Sequence, residues 1–158
     1  MEIMEDTSGV TNIFIDSVLR STISRYHGVF SCDNIPFCDK DIFLFVANLS
    51  KYGHAGTHFV AVCINSKTKI AEYFDPFGHE CENPDILKYM QNYVTKVQGP
   101  MFQVQSYLSD FCGIHCIAYM FSKQLKTPIT RFLKMYSSTD LLFNDVTSAI
   151  YIMKSLEI

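Results

Sequence analysis

No apolar run in this sequence approaches the roughly 18 residues that a membrane span requires, so a soluble protein without a membrane partner is expected. Nor is there an excess of positive charge. Thirteen Lys and Arg stand against 16 Asp and Glu, a net charge of −3, so the chain as a whole is not built to hold a polyanion. Internal repeats, low-complexity tracts and long linkers are also missing, and the 158 residues read as one domain, 1–158. The opening "MEIMEDTSGV" is acidic and lacks the charged-then-apolar pattern of an export signal, which points to an intracellular protein. In that reducing setting the six cysteines are expected as free thiols. A zinc knuckle is lacking too. Cys112, His115 and Cys116 fall at i, i+3 and i+4 of one helix, but no second ligand pair with the usual spacing exists to complete a tetrahedron. Cys32 and Cys38 lie too far apart for such a knuckle, so no metal is expected, and the sequence requires no cofactor. Cys116 is read as core, and His27, His54, His79 and His115 as surface or structural residues.

What is present is a chain that is 48% hydrophobic and 14% aromatic with only 18% charged residues, the composition of a globular domain. "NIFIDSVLRSTISRY" has mostly helical spacing. "DIFLFVANL" (41–49), "HFVAVCIN" (58–65) and "KIAEYF" (69–74) read as strands, as does "MFQVQ" (101–105). "NPDILKYMQNYV" opens with an Asn cap and a proline, the signature of a helix start. After Cys112, the residues Ile114, Ile117, Ala118, Phe121 and Leu125 form one apolar stripe of a further helix. Two more helices are expected near 128–136 and 143–156. The fold class is therefore α+β, a small mixed, mostly antiparallel sheet flanked by helices.

Four residues in this pattern carry chemistry. A hairpin turning on residues 66 and 67 sets His58 opposite Asp75, and a three-residue loop sets it opposite Pro76. Either register places His58 and Asp75 at one end of neighbouring strands, where a carboxylate can orient an imidazole and favour its protonated form. Cys112, at the start of a central helix, would lie at the positive end of the helix dipole, where a thiolate is favoured. Gly113 would allow a tight turn there and the close approach of a substrate backbone. Acyl transfer also needs a donor for the oxyanion. Gln105 is preferred over Gln103 because it lies one step nearer the turn, and it would act with the backbone N–H of Cys112. Taken alone, each residue has a plainer reading: a buried thiol, a structural histidine, a turn aspartate and a strand glutamine.

The order His, acid, Gln, Cys, with "GTHFVAV", "YFDPFG" and "QSYLSDFCGIHC", resembles adenain, the adenovirus-type cysteine protease, and more distantly the ubiquitin-like-protein proteases. Gly56, His58 and Phe59, with one residue between Gly56 and His58, correspond to the glycine, histidine and aromatic of the family's strand, and Asp75, Pro76, Phe77 and Gly78 to its acid-Pro-Phe-Gly turn. The His-to-acid separation (75 − 58 = 17) and the Gln-to-Cys separation (112 − 105 = 7) agree with the family, and Cys112, Gly113 and Cys116 keep its Cys-Gly-x-x-Cys. "GVFSCDNIP" (28–36) looks like the family's N-terminal stretch, so the resemblance runs from about residue 26 to 125. Aspartate replaces the usual glutamate at Asp75, and phenylalanine the usual tryptophan at Phe59.

The resemblance implies a cysteine endopeptidase that cuts viral or element-encoded precursor proteins near glycines during particle maturation, in a host nucleus or virion. His58, Asp75 and Cys112 would form the triad, and Gln105 with the Cys112 N–H the oxyanion hole. A protease of ubiquitin-like modifiers cutting after Gly-Gly is the alternative within enzymes, and an inactive binding module of the same fold is the alternative outside them. Adenain is activated by DNA and by a viral peptide tethered through a disulfide. The position matching the tethering cysteine is Val94, so disulfide tethering is not expected here. Lys123, Lys126, Arg131 and Lys134 form an acid-free stretch that would be a nucleic-acid contact or a solvated face. A monomer is expected.

Overall fold

The computed structural model describes residues 11–54, 56–99 and 102–157; the acidic opening segment lies outside them. In chain order the elements are α1 (Asn12–Thr22), β1 (Tyr26–Ser31), β2 (Ile42–Asn48), β3 (Phe59–Asn65), β4 (Ile70–Phe74), α2 (Pro84–Gln91), β5 (Lys96–Gln98), α3 (Cys112–Gln124), α4 (Ile129–Leu133) and α5 (Leu141–Leu156). The strands form one sheet in the order β1-β2-β3-β4-β5. It is antiparallel at its centre, β2 to β3 to β4, and parallel at both edges, β1 with β2 and β4 with β5. The α+β expectation therefore holds.

The central strands are apolar on both sides because both faces of the sheet are covered. Leu44, Val46, Ala61 and Phe74 face a core shared with α1, α3 and α4. Phe43, Phe45, Val60, Val62 and Tyr73 face a second core closed by Ile86 and Met90 of α2. Val94 is buried in that second core. Among the described residues no helix is long and apolar enough to cross a membrane.

Three expectations need correction. The hairpin between β3 and β4 has a four-residue loop. The pairs Asn65 with Ile70 and Ala61 with Phe74 carry the count to residue 77 opposite His58 (61 + 74 − 58 = 77). No Asn-Gly pair is present to close a two-residue turn. Instead the Asn65 side chain accepts from the amides of Lys67 and Thr68, both at 3.2 Å, and Lys69 takes a left-handed φ of 61°.

The second correction concerns "MFQVQ", which is not a strand over its described residues 102–105. The amides of Val104 and Gln105 both donate to the single carbonyl of Pro76, at 2.9 and 2.8 Å, a pattern no ladder uses. Asn144 Nδ2 donates to the Val104 carbonyl at 2.9 Å. The strand-like alternation arises because Val104 is a core residue and Gln105 is buried beside it.

Third, two strands went unread in the sequence. Neither β1, half-buried and bulged near Gly28, nor the exposed three-residue β5 has a continuous apolar face. Both are edge strands, held by pairing with a neighbour rather than by their own pattern.

Gly78 makes the approach of residues 102–105 possible. Its φ is 79°, and a Cβ there would come within 2.8 Å of the Gln103 amide nitrogen. Gly78→Ala is expected to destabilise the protein by about 1–3 kcal/mol in urea unfolding. An unchanged midpoint would show that the turn and the Gln105 segment are not locked together.

Candidate active site

His58 immediately precedes β3, and Asp75 immediately follows β4. Their strands are neighbours, so the longer loop still leaves both at the same end of the sheet. His58 Nε2 donates to Asp75 Oδ1 at 2.6 Å, with His58 only 7% exposed and Asp75 2%. The same carboxylate oxygen accepts from the Phe77 amide at 2.8 Å, and the Gly78 amide donates to the Asp75 carbonyl at 2.8 Å. The carboxylate is thus fixed by its own turn before it meets the ring. Phe77, opposite His58 in the extended register, stacks on the imidazole with centroids 4.2 Å apart and planes within 9°.

Cys112 is the first residue of α3, as its spacing predicts. The helix start at Phe111 has no side-chain cap, so the first amides of α3 are left to whatever lies at its end. α3 is held against β4 by Tyr119, which stacks on Phe74 with centroids 5.0 Å apart. Tyr119 also donates to Glu72 at 2.6 Å, and Lys123 pairs with the same carboxylate at 2.9 Å. Phe74 adjoins Asp75, so one packed contact joins the helix of the thiol to the strand of the acid.

The Cys112 sulfur lies close enough to His58 to affect its ionisation. Burial pushes the imidazole down, but Asp75 and Cys112 push it up more strongly, and the net value is about 9 against an ordinary 6.5. Burial raises Cys63 and Cys81 to about 11, raises Cys32, and holds Cys116 well above the ordinary range.

Gln105 is fully buried, and its Nε2 donates to the Ser109 carbonyl at 2.9 Å. A second amide hydrogen remains on that nitrogen. Gln103 uses its amide on the Gln105 carbonyl at 2.8 Å. Gly113 has no positive φ and is buried in the first turn of α3, so no special turn is made there.

Sequence reading missed the aromatic rim. Tyr107 lies 4.9 Å from Phe77 by ring centroids and bonds to His79 Nε2 at 2.9 Å, and His79 Nδ1 lies 4.0 Å from the second oxygen of Asp75. Tyr107 and Leu108 are 62% and 90% exposed just ahead of the thiol, with no periodic pattern to reveal them. His115 is buried and structural, and Cys116 is core. Of the basic stretch, Lys123 is taken up by Glu72, while Lys126, Arg131 and Lys134 are exposed. All six cysteines are unpaired. Among the described residues no group of three or more His, Cys, Asp or Glu could hold a metal ion.

No family model matches the sequence, and no curated protein does either. Solved structures do match. The ASFV pS273R protease superposes with a TM-score of 0.58 at 16% identity, over 88% of this chain and 66% of that one. This chain therefore spans just under two thirds of that protein's length. The SUMO protease Ulp1, in forms with its catalytic cysteine oxidised to sulfinic or sulfenic acid, gives TM-scores of 0.47 and 0.42 at 12% and 10% identity. Both forms match over 90% of this chain and 75% of the Ulp1 chain. The chain shares the fold of the ASFV pS273R protease.

Because the folded value of His58 lies above its ordinary 6.5, its contacts stabilise the fold fully below that pH, and the contribution is lost as pH rises through about 9. Asp75→Asn removes the largest raising influence. In an NMR titration the His58 ring should then titrate well below the wild-type value, and the fold should lose stability at pH 6. A ring that titrates identically in both proteins would show that the carboxylate does not govern the imidazole.

Proposed function

We propose that the chain is a cysteine endopeptidase. The observation that carries this reading is the buried 2.6 Å contact between His58 and Asp75, set beside a thiol at an uncapped helix start. With its value raised to about 9, His58 carries a proton at neutral pH, and the Cys112 sulfur beside it is the nucleophile. The sulfur attacks the scissile carbonyl carbon, and the oxyanion is held by the Cys112 N–H and the free hydrogen of the Gln105 amide. His58, through the nitrogen that does not face Asp75, gives its proton to the leaving amine as the C–N bond breaks. A water molecule then attacks the thioester while His58 takes its proton, releasing a carboxylate product and freeing the sulfur.

For the substrate we favour viral or element-encoded precursor proteins cut near glycines during particle maturation. Three things support this: the motif resemblance, the fold shared with a protease of ASFV, and the aromatic rim. Phe77 stacks on the imidazole and Tyr107 packs against Phe77, an aromatic surface along which a glycine segment would lie.

A fluorogenic amide of a Gly-Gly-ended peptide, together with candidate capsid precursors, tests the reading. Wild-type protein should cleave, Cys112→Ala should not, and Gln105→Ala should lose roughly 100- to 1,000-fold in kcat. Cleavage at equal rates by wild type and Cys112→Ala would remove the assignment.

A further inference from the structure

The strongest polar network outside the triad lies behind the nucleophile and is centred on Asp145 of α5. Asp145 Oδ2 accepts from the Ser109 hydroxyl at 2.7 Å, and Oδ1 accepts from His115 Nε2 at 2.8 Å. Ser109 stands three residues before Cys112 and His115 three residues after it (112 − 109 = 3; 115 − 112 = 3). One carboxylate therefore grips the chain on both sides of the sulfur. The Ser109 hydroxyl also accepts from the Phe111 amide at 3.1 Å, tightening the turn into α3. The Ser109 carbonyl in turn accepts from Gln105 Nε2 at 2.9 Å, the only hydrogen bond that fixes this side-chain amide among the described residues.

His115 completes the far side. It is fully buried, and its Nδ1 lies 2.7 Å from the Ser148 hydroxyl, which lies 2.6 Å from the Tyr136 hydroxyl. With a neutral imidazole every link has one donor: Tyr136 to Ser148, Ser148 to Nδ1, and Nε2 to Asp145. Burial holds His115 below its ordinary value, in keeping with that neutral form. The network is anchored in the core at Tyr136 and ends at the glutamine.

We propose that Ser109 and Asp145 are positioning residues for acyl transfer, holding the Gln105 amide and the first turn of α3 in the geometry that receives the oxyanion. Neither touches substrate. The inference rests on the protease reading above and deepens it, because it assigns α5 a part in the reaction through the loop at 106–111. The Gln105 Oε1 atom is buried without a hydrogen-bond partner among the described residues. The amide is therefore oriented from its nitrogen side alone, and its aim depends on the Ser109 carbonyl.

The test uses the full chain and the Gly-Gly fluorogenic peptide. Turnover by wild type that is absent from Cys112→Ala establishes the underlying reading, and its absence from wild type would count against both. Ser109→Ala and Asp145→Asn should then lower kcat by about tenfold, a part of the roughly 100- to 1,000-fold that loss of an oxyanion donor costs, with KM nearly unchanged. Ser109→Thr, which keeps the hydroxyl, should restore most of the rate. In a Gln105→Ala background the further loss from Ser109→Ala should vanish, since the effect passes through that amide. A merely structural role would instead lower rate equally in both backgrounds. Unchanged kcat in Ser109→Ala, or additive losses in the double variant, would overturn the inference while leaving the protease assignment intact.

Discussion

The fold is organised around one demanding contact, a buried imidazole against a buried carboxylate at the end of two antiparallel strands. Taking both groups from water costs several kcal/mol apiece, and their attraction offsets this only when geometry and further hydrogen bonds are good. Both conditions are met here. Asp75 is held by its own turn through the Phe77 amide, and the Phe77 ring covers one face of the His58 imidazole. Substitution of either partner leaves an unbalanced buried charge, so the pair constrains everything that packs around it.

The thiol is brought to this pair by packing rather than by sequence proximity. Phe74 and Tyr119 stack across the interface of β4 and α3, and Glu72 receives both Tyr119 and Lys123 along the same line. The helix cannot slide or turn without breaking these contacts. Cys112, two turns before Tyr119, is thereby fixed at the strand ends. Burial raises the thiols of Cys63, Cys81 and Cys116 above their ordinary range.

α5 reverses the usual distribution of polarity. Its buried residues include Asn144 and Ser148, while Leu142, Phe143, Val146, Ile150 and Met153 are exposed. Asn144 binds the Val104 and Ser137 carbonyls and the Ser137 amide, at 2.9, 2.8 and 2.8 Å. The polar side of the helix thus supplies hydrogen bonds to chain segments that have no ladder of their own. A reading by apolar periodicity locates such a helix but gives no access to which face it buries or why.

The sequence by itself determined the three central strands and most of the helices, and it singled out four candidate residues. Those features come from local causes: β-branched runs, caps, a proline after the acid, and a cysteine opening an apolar helix. Tertiary structure alone decided the register that sets Phe77 on His58, the fate of residues 102–105, the edge strands and the carbonyls that the Gln103 and Gln105 amides meet. It also decided that Ser109, His115 and Asp145 meet behind Cys112. Each of these depends on atoms far apart in the chain, and no short-range pattern encodes which distant carbonyl a buried amide will find.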